Sequence, residues 1–194
     1  AAGTARLTGV CTASGVSAHH AARKFGFDFA TTDVDEILSD DRTEAIAIAT
    51  RHDRHADEVA AVLRSKRHVF CEKPLCLNVA ELSQVVAQWR AHEGRWSVLV
   101  GFNRRFAPMA RQLRDYLGGG AGAYSIQYRV NAGALPANHW TRDRAIGGGR
   151  LIGEVCHFID FVSFLTSAEP KRVWAVQPPT ADEDVNLTLE MTDG

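Results

Sequence analysis

The sequence predicts an α/β protein with a Rossmann-type parallel sheet, followed by an incomplete α+β domain with an open antiparallel sheet. Up to residue 118, short apolar strands alternate with helical segments, as in a doubly wound sheet. Beyond the glycine-rich stretch 118–122, apolar residues recur at every second position, which is typical of antiparallel strands with one face in water. We therefore place a domain boundary near residue 120 and expect domains 1–120 and 121–194.

The elements of the first domain follow from apolar runs and from capping residues. Asp53 and Asn78 are expected N-caps, and Gly26 and Gly94 are expected to end helices. Strands are predicted over 6–12, 44–50, 68–71 and 96–100, and helices over 17–26, 33–38, 53–63 and 78–94.

The second domain is predicted to contain strands over 124–130 and 185–191, with an apolar helix over 154–165 between them. The sequence has no G-x-G-x-x-G turn of the kind that opens a dinucleotide-binding sheet. Its first strand behaves like the second strand of such a domain, and it stops where a hairpin is expected to continue. We therefore expect a fragment, or a natural variant that lacks both edges of the fold.

Composition excludes several classes of function. The net charge of −1 offers no electrostatic footprint for nucleic acid or for an anionic membrane. No apolar run is long enough for a transmembrane helix, and the N-terminus does not resemble a signal peptide. The four cysteines form no C-x-x-C pair, so reduced thiols and a cytoplasmic location are expected.

The first candidate for chemistry is Lys73, in the sequence Glu72-Lys73-Pro74 that follows a buried strand. Side chains just past the carboxyl end of a parallel strand face the crevice where ligands bind. The alternative is a structural role, with a salt bridge to Glu72 and a turn at the proline.

The second candidate is His157, which follows the glycine triplet 147–149. Glu154 lies three residues earlier and shares a helix face with it. The alternative is a histidine that is simply satisfied in an apolar core. A zinc site built from Cys71, Cys76, Cys156 and His157 fits no common ligand spacing, and no metal is expected.

Taken together, the motifs resemble those of the glucose–fructose oxidoreductase / inositol dehydrogenase / MocA family of nicotinamide-dependent sugar oxidoreductases. They occur in the family's order and cover nearly the whole chain. The motifs are Ala49-Thr50 with His55, Cys71-Glu72-Lys73-Pro74, Gly101-Phe102-Asn103-Arg104-Arg105-Phe106, and the glycine triplet with His157-Phe158-Ile159-Asp160.

The resemblance implies a role for each matching position. Lys73 would lie beside the nicotinamide and the reacting hydroxyl, aimed by a cis Lys-Pro bond, and His157 would be the acid/base, with Glu154 as the nearest carboxylate. The residues expected on the cofactor side are Thr12, Ser14, Thr50, Arg51, His52, His55, Glu72 and Lys73. Those expected on the substrate side are Asn103, Arg104, His139 and Trp140, although Trp140 is equally suited to anchor a domain interface.

Three positions depart from the family pattern. Gly153 stands where the family has an acid, and Glu154 can replace that acid only if the backbone there is not yet helical. Arg51 and His52 replace the usual proline and asparagine; Arg51 would contact a phosphate or remain a surface charge. The first strand ends in Thr12-Ala13-Ser14 without the acid that binds the ribose of NAD, so NADP is at least as suitable as NAD.

The implied function is an NAD(P)-dependent oxidoreductase that transfers a hydride between the nicotinamide and a hydroxyl or carbonyl of a sugar, cyclitol or sugar derivative. The expected partners are a small sugar-like molecule and further copies of the chain, which would associate through the second-domain sheet. Two other hypotheses remain open: a non-catalytic binding or scaffold protein on the same fold, and a lyase or glycosidase that uses the nicotinamide transiently.

Overall fold

The structure is a computed structural model that describes residues 5–118, 122–136, 138–177 and 184–192. The predicted boundary at residue 120 and the chain end at 193–194 lie outside the described residues.

Five short strands alternate with four helices in the first part of the chain. They are β1 (Gly9–Cys11), α1 (Gly15–Phe25), β2 (Phe29–Thr31), α2 (Val34–Ser39), β3 (Ala45–Ile48), α3 (His52–Arg64), β4 (His68–Cys71), α4 (Val79–Ala91) and β5 (Val98–Val100). The elements that follow are a 3₁₀ turn (Asn103–Phe106), α5 (Pro108–Tyr116), a second 3₁₀ turn (Trp140–Arg142), a π-helical turn (Leu151–Val155), α6 (Cys156–Thr166), β6 (Pro170–Val176) and β7 (Asn186–Met191).

The strands confirm the predicted fold class. Strands β1 and β2 are parallel, and β3, β4 and β5 form a parallel sheet in that order. Strands β6 and β7 form an antiparallel pair. In the described part of the chain the parallel strands fall into two separate sheets rather than one.

The core lies between the three-stranded sheet and the helices α3 and α4. Val59 and Leu63 of α3 are fully buried, and they pack with Val85 of α4 against Val69 and Cys71 of β4. Alternate residues of a strand point to opposite faces, so the intervening positions lie on the other side of the sheet. The carboxyl end of β4 is therefore held firmly, and this is the end that carries Lys73.

Several predictions about individual elements are confirmed. Helix α1 ends before Gly26, whose backbone is left-handed at φ 79°. The side chain of Asn78 caps α4 by accepting a hydrogen bond of 3.0 Å from the backbone N–H of Glu81. The apolar helix predicted over 154–165 is present as α6, and the π-helical turn directly precedes it.

Other predictions are wrong. Residues 124–130 alternate as expected but form no strand, because a strand requires a hydrogen-bonded neighbour; Tyr128 packs instead on Phe158 and Phe161 of α6. Asp53 does not cap α3, which begins at His52 with Arg51 in the N-cap position. Strands β2 and β6 and helix α5 were not predicted from the sequence.

We expect the Asn78 cap to contribute measurably to stability. Replacing Asn78 by alanine leaves a first-turn N–H of α4 without its acceptor, and this loss is expected to lower the free energy of unfolding by about 1 kcal/mol. Asn78→Ser keeps a side-chain oxygen and should retain most of the stability. Urea unfolding measures both variants, and equal stability of Asn78→Ala and the unmodified protein would contradict the cap assignment.

Candidate active site

Lys73 follows β4 and precedes a cis peptide bond to Pro74, as predicted. Its ammonium Nζ donates a hydrogen bond of 2.8 Å to the backbone carbonyl of Gly153, which lies in the π-helical turn. Among the described residues, Lys73 makes no salt bridge with Glu72. The lysine thus connects the end of the parallel sheet to the helix that carries His157.

His55 and Thr50 hold the backbone around this lysine. His55 is fully buried, and its ring nitrogens contact two backbone carbonyls: Nδ1 lies 2.7 Å from the oxygen of Pro74 and Nε2 3.1 Å from that of Thr50. The hydroxyl of Thr50 donates to a carboxylate oxygen of Glu58 at 2.7 Å. The structure therefore places His55 in the interior, tying the ends of β3 and β4 together, rather than at a surface that a cofactor would contact.

His157 lies one helical turn after Gly153 and is only 8% exposed. Its Nδ1 atom is buried and has no hydrogen-bond partner among the described residues, and the ring of Phe102 packs against it at 6.0 Å. Burial lowers the pKa of His157, and the positive charges of Lys73 and Arg104 lower it further. The imidazole is therefore neutral at pH 7 and can accept a proton.

Glu154 does not take the place of the missing acid at position 153. The backbone is already helical at Arg150, with φ −65° and ψ −33°, and it stays helical through Val155. On a helical backbone consecutive side chains point in different directions, so the side chain of Glu154 does not project where a side chain on residue 153 would. In the described ranges no ion pair joins Glu154 to Lys73, and the partner of the lysine is the carbonyl of Gly153.

The glycine triplet approaches the N-terminus of α3 closely. A Cβ atom on Gly147 would lie 2.3 Å from the Cα of Thr141, so no side chain fits there. The carbonyl of Gly147 accepts a hydrogen bond of 2.8 Å from Nδ1 of His52, and that of Ile146 accepts one of 3.0 Å from the backbone N–H of Asp53. His52 is buried, and this burial lowers its pKa.

Trp140 packs against the N-terminal end of α3. Its ring contacts the edge of His52 at 4.7 Å, and the guanidinium of Arg51 lies over it at 5.9 Å. His139 stacks on the same indole at 6.0 Å and directs its Nδ1 to the hydroxyl of Thr141 at 2.7 Å. The contacts with Arg51 and His52 favour the interface interpretation of Trp140 over a sugar-stacking role.

Asn103 and Arg104 lie in the 3₁₀ turn after β5. Asn103 is exposed, and Arg104 donates to the hydroxyl of Tyr128 at 2.9 Å while its guanidinium lies 4.9 Å from the centre of the Phe158 ring. The neighbouring Arg105 forms an ion pair with the nearly buried Asp160, a pair to which no role was predicted from the sequence. This pair fixes the 3₁₀ turn to α6, beside His157.

Comparison with known proteins identifies the family. The family GFO_IDH_MocA, described as an oxidoreductase family with an NAD-binding Rossmann fold, matches residues 1–102. The chain belongs to this family.

Its relatives include dehydrogenases of sugars and cyclitols. Myo-inositol 2-dehydrogenase of Thermotoga maritima is 26% identical over 84% of this chain and 48% of its own length. Levoglucosan dehydrogenase of Pseudarthrobacter phenanthrenivorans is 29% identical over 76% of the chain and 39% of its own length. The chain spans about half the length, or less, of these curated relatives.

A solved structure of levoglucosan dehydrogenase in complex with NADH and levoglucosan superposes on this family member with a TM-score of 0.81. It shares 27% identity and covers 97% of this chain and 55% of the solved chain.

The residues expected on the cofactor side near the N-terminus come after a strand of the other parallel sheet. Thr12 and Ser14 follow β1, which belongs to the separate two-stranded sheet. The Thr12 hydroxyl donates to the carbonyl of Ser14 at 2.7 Å, and the Ser14 side chain is exposed. As the sequence indicated, no carboxylate occupies this strand end.

Two further findings concern metals and membranes. In the described ranges, no three His, Cys, Asp or Glu side chains come close enough together to hold a metal ion. No helix in the same ranges combines the length and the apolar character needed to cross a membrane.

We expect the pKa of His157 to depend on Lys73. Replacing Lys73 by methionine removes one of the two positive charges that disfavour the imidazolium, so the pKa of His157 should rise toward its usual value. NMR titration of the His157 ring measures the shift, and Lys24→Met on α1 is the matched control that should leave it unchanged. An identical His157 titration in Lys73→Met and the unmodified protein would contradict the proximity of the two side chains.

Proposed function

We propose that this protein is an NAD(P)-dependent oxidoreductase that transfers a hydride between the nicotinamide and a hydroxyl or carbonyl of a sugar, cyclitol or sugar derivative. Membership of the family and its sugar and cyclitol dehydrogenases support the proposal. The observation that carries it is the hydrogen bond from Lys73 to the carbonyl of Gly153. This bond brings the ammonium to within one helical turn, along the chain, of His157, whose buried Nδ1 has no hydrogen-bond partner among the described residues.

The two side chains suit the two demands of alcohol oxidation. A bound nicotinamide would supply the hydride acceptor. The Lys73 ammonium, which uses one of its three hydrogens on Gly153, has donors left to orient the substrate hydroxyl and to stabilise the developing alkoxide. His157 would take the hydroxyl proton; because its Nδ1 is buried, Nε2 is the nitrogen that faces this task.

We also propose roles for residues around Lys73 and His157. Thr12, Ser14 and Glu72 would lie along the cofactor, while Asn103 and Arg104 would contact the substrate. The division into domains 1–120 and 121–194 and a cytoplasmic location stay predictions.

Homo-oligomerisation through the second sheet is supported by its exposed apolar residues. In β6, Val173 is 60% exposed, Trp174 51% and Val176 65%. A two-stranded sheet with this much open apolar surface is suited to pairing with another copy.

The decisive experiment is a turnover assay on the intact protein, with a panel of sugars and cyclitols and with both NAD and NADP. Lys73→Met and His157→Ala should each lower kcat by about 100-fold or more, because each removes a group that acts in the transition state. Lys24→Met and His68→Ala are controls that should keep the activity.

Other results would contradict the proposed roles or favour a different function. Unchanged turnover in Lys73→Met and His157→Ala would refute the proposed roles. Dinucleotide binding without reduction on any substrate would support the non-catalytic hypothesis, and product release without net change in the nicotinamide would support a lyase or glycosidase.

We also expect the end of β1 to influence the choice between NAD and NADP. Ser14 is exposed where a carboxylate would repel a 2′-phosphate, so Ser14→Asp should weaken NADP binding by about tenfold relative to NAD. Calorimetric titration of the intact protein with both dinucleotides measures the ratio, with Ser83→Asp on α4 as the control. A ratio that does not move would place the ribose elsewhere.

A further inference from the structure

His52 occupies the junction between α3 and the glycine segment. Its side chain is 8% exposed, and its Nδ1–H donates to the carbonyl of Gly147 at 2.8 Å. The ring is held in place by the edge-on contact with Trp140 at 4.7 Å. The next residue, Asp53, uses its backbone N–H on the carbonyl of Ile146. The first turn of α3 thus makes hydrogen bonds to two consecutive carbonyls, those of Ile146 and Gly147.

The contacts continue from His52 to the active-site lysine. A Cβ atom on Gly153 would lie 3.2 Å from the carbonyl oxygen of Gly147 and 3.4 Å from Cε1 of His52, so Gly153 packs directly on both. Gly153 in turn presents its carbonyl to the ammonium of Lys73 at 2.8 Å. These contacts form an unbroken path from His52 to Lys73.

We propose that His52 is a positioning residue for Lys73: its imidazole holds Gly147 and Gly153 where the Gly153 carbonyl receives the lysine ammonium. This inference rests on the proposed function of Lys73. Burial keeps His52 neutral, and the neutral tautomer with hydrogen on Nδ1 makes the bond to Gly147. A small displacement of a reacting group is costly to catalysis, so a contact that acts on Lys73 only through Gly147 and Gly153 should still matter.

His68 provides a matched control. It also has Nδ1 bonded to the backbone, accepting from the N–H of Ser97 at 3.0 Å, and its ring also meets a tryptophan edge-on, Trp96 at 5.2 Å. It lies at the first residue of β4, at the opposite end of the strand from Lys73. Replacement of His68 therefore removes a backbone hydrogen bond and a tryptophan contact of the same kind, from a partly buried ring at the end of β4 away from the lysine.

The test uses four variants of the intact protein: His52→Ala, His52→Asn, His52→Gln and His68→Ala. Asparagine places an N–H donor near the position of Nδ1, whereas glutamine extends its donor toward the position of Nε2. We expect His52→Ala and His52→Gln to lower kcat by about tenfold or more, with little change in the KM for the dinucleotide. His52→Asn should recover most of kcat, and His68→Ala should keep it.

A second measurement needs no turnover. The chain has four lysines, Lys24, Lys66, Lys73 and Lys171, so reductive ¹³C-methylation yields a simple NMR spectrum in which Lys73→Met assigns the Lys73 signal. The signal should move toward those of the exposed lysines in His52→Ala and His52→Gln. It should stay in place in His52→Asn and His68→Ala.

The outcomes separate the two proposals. An inactive unmodified protein would count against the proposed function, and the lysine signal would still decide the role of His52. A Lys73 signal that is unmoved in His52→Ala would overturn the inference. Equal losses of kcat and of melting temperature in His52→Ala and His68→Ala would also overturn it, because they would show a purely structural role.

Discussion

The arrangement of this protein depends on one hydrogen bond, from the ammonium of Lys73 to the carbonyl of Gly153. A partly buried ammonium is unfavourable without an acceptor, so the π-helical turn must lie against the end of β4. This requirement determines where His157 lies, because it follows Gly153 by one helical turn. On the sheet side, the ring nitrogens of His55 lie 2.7 Å from the carbonyl oxygen of Pro74 and 3.1 Å from that of Thr50, so the buried ring connects the backbone on either side of the lysine.

The charge of Lys73 has a second consequence for His157. The lysine is bonded to a neutral carbonyl, and within the described ranges it forms no ion pair with a carboxylate. The charge acts with burial to lower the pKa of His157 and keeps the imidazole neutral. A charged donor beside a neutral acceptor is the arrangement that the proposed removal of a hydroxyl proton requires. The contact of Lys73 with Gly153 therefore fixes the position of the ammonium and places its charge where it lowers the pKa of His157.

The sequence predicted the features that depend on local patterns. Buried strands, the Asn78 cap and the position of Lys73 after β4 follow from apolar runs, capping preferences and the topology of parallel sheets. The roles of His52 and His55 were not predictable, because their partners Gly147 and Pro74 lie 95 and 19 residues further along the chain. The strand expected over 124–130 failed for the same reason, since alternation defines a face but supplies no neighbouring strand.

Position 153 shows how a missing side chain changes the chemistry of its neighbours. A side chain there would press on the Gly147 carbonyl and on His52, so glycine and the imidazole share the space. Glu154 cannot restore an acid to the lysine, because the helical backbone turns it away. The lysine ammonium donates instead to the backbone carbonyl of Gly153. In the proposed site, the charge of Lys73 therefore acts on His157, and the ammonium is oriented by a backbone carbonyl rather than by a carboxylate on residue 153.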